Sequence, residues 1–373
     1  MIYLDSAATS LQKPRSVPAA VSRAVSTMAS PGRGCHFPAM RAADAVLNCR
    51  ELLADFFDVP EPEQVVFTFN ATHALNIAIH SLVSPGDRVV VSGYEHNSVT
   101  RPLHELGAQL VIARSPLFDQ DAAVEAFRTA LPGAACAVCT HVSNVFGFIL
   151  PIERIAALCR KARVPLIIDA SQSAGTLPLR FSELGADYIA MPGHKGLLGP
   201  QGTGVLLCRE PGVPLLSGGT GSNSALPVMP DFLPDRLEAG THNVAGIAGL
   251  YEGVKFLSTQ PEGRILAHEQ KLLSLFAERS TGIPGLTLFY DGGRGAQSGV
   301  LSVCSRHMGA DCIAEKLGRA GICVRAGLHC APTAHETAGT LEQGTVRFSF
   351  SPFNTPGEIL RAAAVLKKIL LSA

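Results

Sequence analysis

The chain has 373 residues, 47% hydrophobic and 17% charged, which excludes an intrinsically disordered chain and leaves ample apolar area for a large core. Its 31 Lys and Arg balance 31 Asp and Glu with no basic run, so nothing in it invites a nucleic-acid partner. Met1-Ile2-Tyr3-Leu4-Asp5 carries neither a basic leader nor an apolar signal core, and ten cysteines without such a leader fit a reducing, cytoplasmic setting.

From about Val65 short apolar strands alternate with helical patterns. Val65-Val66-Phe67-Thr68-Phe69, Arg88-Val89-Val90-Val91-Ser92, Leu110-Val111-Ile112 and Cys136-Ala137-Val138-Cys139 read as strands, followed by Leu166-Ile167-Ile168, Tyr188-Ile189-Ala190 and Val205-Leu206-Leu207. Helices are expected near 74–82 and over 152–162. Strands this uniformly apolar are covered on both faces, the pattern of a mostly parallel sheet between helices. The uncharged stretch 131–152 contains Pro132, Gly133, His141, Ser143 and Asn144, so it reads as a strand entering a polar loop rather than a membrane span. Cys136 and Cys139 have the spacing of a dithiol or metal site, but residues i and i+3 of a strand face opposite sides, which argues against both.

After about Gly253 the pattern changes. Helical stretches over 251–257 and 265–279 precede strands at 286–289 and 300–303, and residues 346–350 alternate at period two. Thr355, Pro356 and Glu358 open the last helix as N-cap, first-turn proline and capping box. The chain thus divides into a large α/β domain over residues 16–253 and a small α+β domain made of 254–373 with residues 1–15 folded back onto it.

In a doubly wound sheet ligands bind beyond the carboxyl ends of the strands. Those ends carry Asn70-Ala71-Thr72-His73, Glu95-His96-Asn97, His141-Val142-Ser143-Asn144, Asp169-Ala170-Ser171-Gln172 and Gly193-His194-Lys195-Gly196. Asp169 ends an apolar strand, where a carboxylate needs a cation or strong donors; Lys195 lies among glycines, where desolvation makes an amine nucleophilic. Helix N-capping by Asp169 and a solvated Lys195 are the bland alternatives. Together the two suit a lysine Schiff base that holds pyridoxal 5'-phosphate, with the aspartate keeping the pyridine nitrogen protonated. Thr72 and the N–H groups beside it open a helix, a ready phosphate site.

Asp169-Ala-Ser-Gln172-Ser-Ala-Gly175 followed by Gly193-His194-Lys195-Gly196-Leu-Leu-Gly199-Pro200-Gln-Gly202 resembles the signature of class V, fold-type I pyridoxal phosphate enzymes. Within that class the chain resembles the cysteine desulfurase and selenocysteine lyase family, with support from Tyr3-Leu4-Asp5-Ser6-Ala7-Ala8-Thr9, Glu95-His96-Asn97-Ser98, Leu237-Glu238-Ala239-Gly240-Thr241 and Val324-Arg325-Ala326-Gly327-Leu328-His329-Cys330. The resemblance implies that Lys195 forms the Schiff base, Asp169 pairs with the ring nitrogen, His96 stacks on the ring and Gln172 contacts its phenolic oxygen. It places Ala71, Thr72, His73 and His194 around the phosphate. Thr241 would reach the phosphate of a neighbouring subunit, which implies a homodimer. Asn144, Arg325 and Arg347 would serve the substrate carboxylate, for which an arginine fork is suited. Cys330 corresponds to the sulfur-accepting nucleophile, with Arg325 and His329 nearby favouring its thiolate.

Two positions depart from the family pattern. Pro192, three residues before Lys195, replaces a Ser or Thr that contacts the phosphate in many relatives, and His73 stands where Glu is usual. The resemblance implies conversion of L-cysteine to L-alanine with sulfur held as a persulfide on Cys330, and a separate acceptor protein for that sulfur. A selenocysteine lyase, another class V aminotransferase or lyase, and a non-enzymatic sulfur carrier are the alternatives.

Overall fold

The computed structural model describes residues 1–32 and 34–372. In chain order its strands are β1 (Ile2–Tyr3), β2 (Val65–Thr68), β3 (Arg88–Ser92), β4 (Gln109–Ala113), β5 (Cys136–Thr140), β6 (Leu166–Asp169) and β7 (Tyr188–Pro192). Then follow β8 (Gly204–Cys208), β9 (Leu286–Phe289), β10 (Val300–Ser305), β11 (Ile322–Cys323), β12 (Arg325–Gly327) and β13 (Thr345–Ser349). Seven of them form one sheet in the order β2-β8-β7-β6-β5-β3-β4, and the five from β7 to β4 run parallel. Only β8 opposes its neighbours, so the sheet is mostly parallel, as the apolar strand runs predict.

Alternate residues of these strands enter separate cores on the two faces. Val90, Cys139, Ile168, Ile189 and Leu207 pack into one core, and Val89, Cys136, Ile167, Ala190 and Leu206 into the other. Cys136 and Cys139 therefore lie on opposite sides of the sheet, both free and buried, as their spacing on a strand predicts.

A four-stranded antiparallel sheet, β12-β13-β10-β9, carries a third core together with the Arg264–Ser280 and Pro356–Leu371 helices. Ile2 and Leu4 belong to that core, because β1 pairs in parallel with β11 and Asp5 bridges Ser349. Thr355 and Glu358 form the expected capping box. Two helices differ from their expected starts. Asn70 caps a helix over Ala71–Leu82, and Asn243 caps one over Val244–Ser258, each through a side-chain oxygen that accepts from the backbone three residues on. Both therefore begin before their apolar periodicity does. Among the described residues no helix is long and apolar enough to cross a membrane.

Candidate active site

The order of the parallel strands reverses between β3 and β5: β4 lies outward of β3, whereas β5, β6 and β7 extend the other way. Their carboxyl ends border the crevice that such a reversal opens. Register aligns Thr140 with Asp169 and Asp169 with Ala190, so the acid stands between the polar end of β5 and the strand leading to Lys195.

The Lys195 turn is locked against the segment that follows Asp169. A Cβ on Gly196 would strike the carbonyl of Ala174, and one on Gly175, whose φ is +85°, would strike the carbonyl of Gly196. Glycine at both positions is thus required for close approach. They bring the amine and the acid to one cavity, which Thr72, His96, Asn144, Gln172 and His194 also line.

Burial lowers the pKa of Lys195 to about 8, with the charge of Asp169 opposing the shift. Burial also lowers His96 and His194 to about 4, so both imidazoles are neutral near pH 7. Nδ1 of His96 accepts the Ser98 N–H at 3.0 Å, which assigns its proton to Nε2. His194 is held by Thr9, whose Oγ1 lies 3.0 Å from its Nδ1. At the head of the Ala71–Leu82 helix, Asn70 takes the His73 N–H at 2.9 Å, leaving those of Ala71 and Thr72 as the helix's open donors.

Ser98 links this end of the site. Its hydroxyl lies 2.8 Å from Thr72 Oγ1 and 2.9 Å from His96 Nδ1, and it lines the same cavity as Pro192. Nothing in its sequence neighbourhood assigns Ser98 a role, yet it supplies a hydroxyl where Pro192 has none. Glu95 also gains significance only in the fold. It is fully buried, accepts from Ser92 Oγ at 2.5 Å and Thr140 N at 2.7 Å, and burial raises its pKa to about 8. Gln172 donates to the Ala7 carbonyl at 3.0 Å, which ties the N-terminal segment to the cavity wall.

A second cluster lies where the antiparallel sheet meets this edge. Arg347, buried on β13, donates to the Asn144 carbonyl at 2.9 Å and to Asp5 at 2.8 Å. Arg325, half exposed on β12, grips Asp5 with Nε at 3.1 Å and Nη2 at 3.0 Å. Asn144 donates in turn to the His329 carbonyl at 2.8 Å, and the Asn97 N–H donates to the Cys330 carbonyl at 2.7 Å. Cys330 is exposed, and it and His329 both have positive φ, +55° and +51°. Those two hydrogen bonds moor this strained pair to the loops carrying Asn144 and His96.

Two expectations meet a different arrangement. His329 does not favour a Cys330 thiolate: burial and Arg347 lower its pKa to about 2, so it carries no charge to do so. His73 stacks on Phe69, with ring centroids 4.8 Å apart, and lies outside the cavity wall. Thr241 is exposed in the segment before the Val244–Ser258 helix and outside the cavity of its own chain, where a residue expected to reach a neighbouring subunit can stand. Asp5, which lies in a quoted motif but receives no role there, carries the same signal as Asp169, a carboxylate closing an apolar run, here Ile2-Tyr3-Leu4.

Chemically, the cavity offers an amine able to condense with an aldehyde, an acid able to hold a cationic ring nitrogen, and open helix donors for an anion. The neighbouring cluster offers an arginine fork and an exposed thiol.

Comparisons with known proteins agree with this arrangement. The family model for aminotransferase class-V matches residues 2–361. A probable cysteine desulfurase of Methanothermobacter thermautotrophicus is 33% identical over 99% of this chain and 94% of its own. One from Pyrococcus abyssi is 30% identical over 100% and 95%. Among solved structures, the cysteine desulfurase of Thermococcus onnurineus superposes with a TM-score of 0.90 at 29% identity, covering 100% of this chain and 95% of that one. The Escherichia coli cysteine desulfurase CsdA gives 0.85 at 26% identity, covering 99% and 94%. Sequence motif, strand-end geometry and full-length similarity converge, and the chain belongs to the class-V aminotransferase family, among the cysteine desulfurases.

Proposed function

We propose that this protein is a pyridoxal phosphate-dependent cysteine desulfurase that converts L-cysteine to L-alanine and holds the sulfur as a persulfide on Cys330. The observation that carries the reading is the joining of two clusters. Lys195 and Asp169 face one cavity, and Asn144, on its wall, bonds the loop of Cys330 and receives Arg347.

The residues present suit the cofactor. Lys195 would bind its aldehyde and Asp169 its ring nitrogen. The neutral His96 would stack on the ring, Gln172 would face its phenolic oxygen, and Ala71, Thr72, Ser98 and His194 would surround its phosphate. When bound, the cofactor supplies an electron sink that makes the substrate Cα–H acidic. The amine of Lys195, with its lowered pKa, then takes the Cα proton at a pH where an ordinary lysine stays charged. Arg347 holds the substrate carboxylate. The Cys330 thiolate attacks the substrate sulfur, so a new S–S bond forms as the Cβ–S bond breaks, and protonation of the carbon fragment gives alanine.

The separate cores support two lobes, residues 16–253 and residues 254–373 with 1–15, meeting at this site. The exposed Thr241 suits contact with the phosphate of a second subunit, and hence a homodimer. Exposure of Cys330 suits handover of sulfur to an acceptor protein in the cytoplasm.

Absorbance of the pyridoxal phosphate-loaded protein, recorded before and after L-cysteine, tests the reading with alanine measured alongside. A visible-edge band that shifts as stoichiometric alanine and Cys330 persulfide form is the expected result. Failure to take up pyridoxal phosphate overturns the reading, and alanine release from selenocysteine alone transfers it to a selenium lyase.

A further inference from the structure

Asp5 has no assigned role, yet it is the hub of the cluster around Arg347. It is 9% exposed and lies between two guanidinium groups, one buried and one half exposed. Arg347 engages Asp5 and the Asn144 carbonyl through its two terminal nitrogens, while its Nε is buried without a hydrogen-bond partner among the described residues. Three of its five N–H donors are therefore unspent. Two guanidinium charges face one carboxylate, which leaves a single unmatched positive charge. With Arg347 buried and its donors unspent, the surplus leaves a place for one further carboxylate.

We propose that Asp5 is a resident carboxylate that sets how tightly Arg347 takes the α-carboxylate of the substrate. This rests on the assignment of Arg347 to the substrate carboxylate. The incoming carboxylate completes the charge balance, but it must share Arg347 with Asp5 and bear repulsion from it. Binding is tempered as a result. Tempering suits this reaction, because the product alanine keeps the same carboxylate and has to leave before the next substrate enters. Arg325 acts from the other side: by engaging Asp5 it weakens the competitor's hold on Arg347.

The charge count orders the variants. Asp5→Asn leaves two unmatched cations and no competitor, whereas Arg325→Gln leaves none unmatched and frees Asp5 for Arg347. Calorimetric titration of L-alanine into the pyridoxal phosphate-loaded enzyme should therefore show about fivefold or greater tightening for Asp5→Asn and weakening for Arg325→Gln. The melting temperature of Asp5→Asn should be lower without ligand and should rise more than the wild type's when L-alanine is added. A purely structural Asp5 would weaken binding when replaced, so the sign separates the two roles.

Unchanged or weaker L-alanine binding by Asp5→Asn, with Arg347→Gln still abolishing it, overturns this inference alone. Undiminished binding by Arg347→Gln overturns the carboxylate assignment beneath it. Should Asp5→Asn fold poorly, Arg325→Gln decides: binding equal to or tighter than the wild type's overturns the proposal.

Discussion

The two halves of the site are built by different means. Around Lys195 and Asp169 the positions come from strand register: Thr140, Asp169 and Ala190 lie abreast in the parallel sheet, and glycines lock the lysine turn to its neighbour. Cys330 itself lies outside the strands, beyond β12. Its segment follows β12 at an edge of the antiparallel sheet, has positive φ at two successive non-glycine residues, and is moored by hydrogen bonds from Asn97 and Asn144 and by the buried His329, whose Nε2 lies 3.0 Å from Thr345 Oγ1. The contrast teaches that the half proposed to bind a rigid ring is set by the core. The half that presents an exposed thiol is set by a few individual hydrogen bonds, which stabilise less and can be removed one at a time.

The comparison is sharpened most by Cys330→Ser. That change should abolish persulfide formation and leave cofactor uptake at the wild-type level, as read by mass spectrometry and absorbance. Loss of uptake as well would show that the two halves are not separable.

Next in size is Asn144→Ala, which removes a bond of roughly 0.5–1.5 kcal/mol from the Cys330 loop. Desulfuration should fall by up to about tenfold while the melting temperature changes little. A collapse in stability instead would show that Asn144 supports the core.

The lysine half predicts a pH signature in the protein before cofactor is added. Reductive methylation of Lys195 with a small aldehyde, followed by mass spectrometry, should rise through pH about 8. Exposed lysines should respond only near 10.5, the ordinary value. A Lys195 that labels with them would place its amine in water.

The smallest effect concerns Glu95 and Glu269, whose pKa values burial raises from the usual 4.5 to about 8. A carboxyl raised on folding contributes stability that is complete below its unfolded pKa and lost as pH rises through the folded one. The melting temperature should therefore decline between pH about 4.5 and 8, and Glu269→Gln should flatten that decline. An unchanged slope would mean that Glu269 stays charged in the folded protein.

Much of this protein is legible along the chain. Uniform apolar runs require a sheet covered on both faces, and the polar residues closing them have to gather at its carboxyl edge, because parallel strands share a direction. Lys195 and Asp169 can be paired on that ground alone. What the chain does not show is which side chains meet across long separations. Asp5 contacts Arg325 and Arg347 only because β1 pairs with β11 and the N-terminal segment crosses onto the second sheet, a junction with no local periodicity. The neutrality of His329 follows from burial beside Arg347, which its polar neighbours in sequence conceal. Periodicity and strand ends are properties of neighbours along the chain, so the sequence determined them by itself. Charge balance and protonation depend on every group within a few ångströms, and only the tertiary structure decided those.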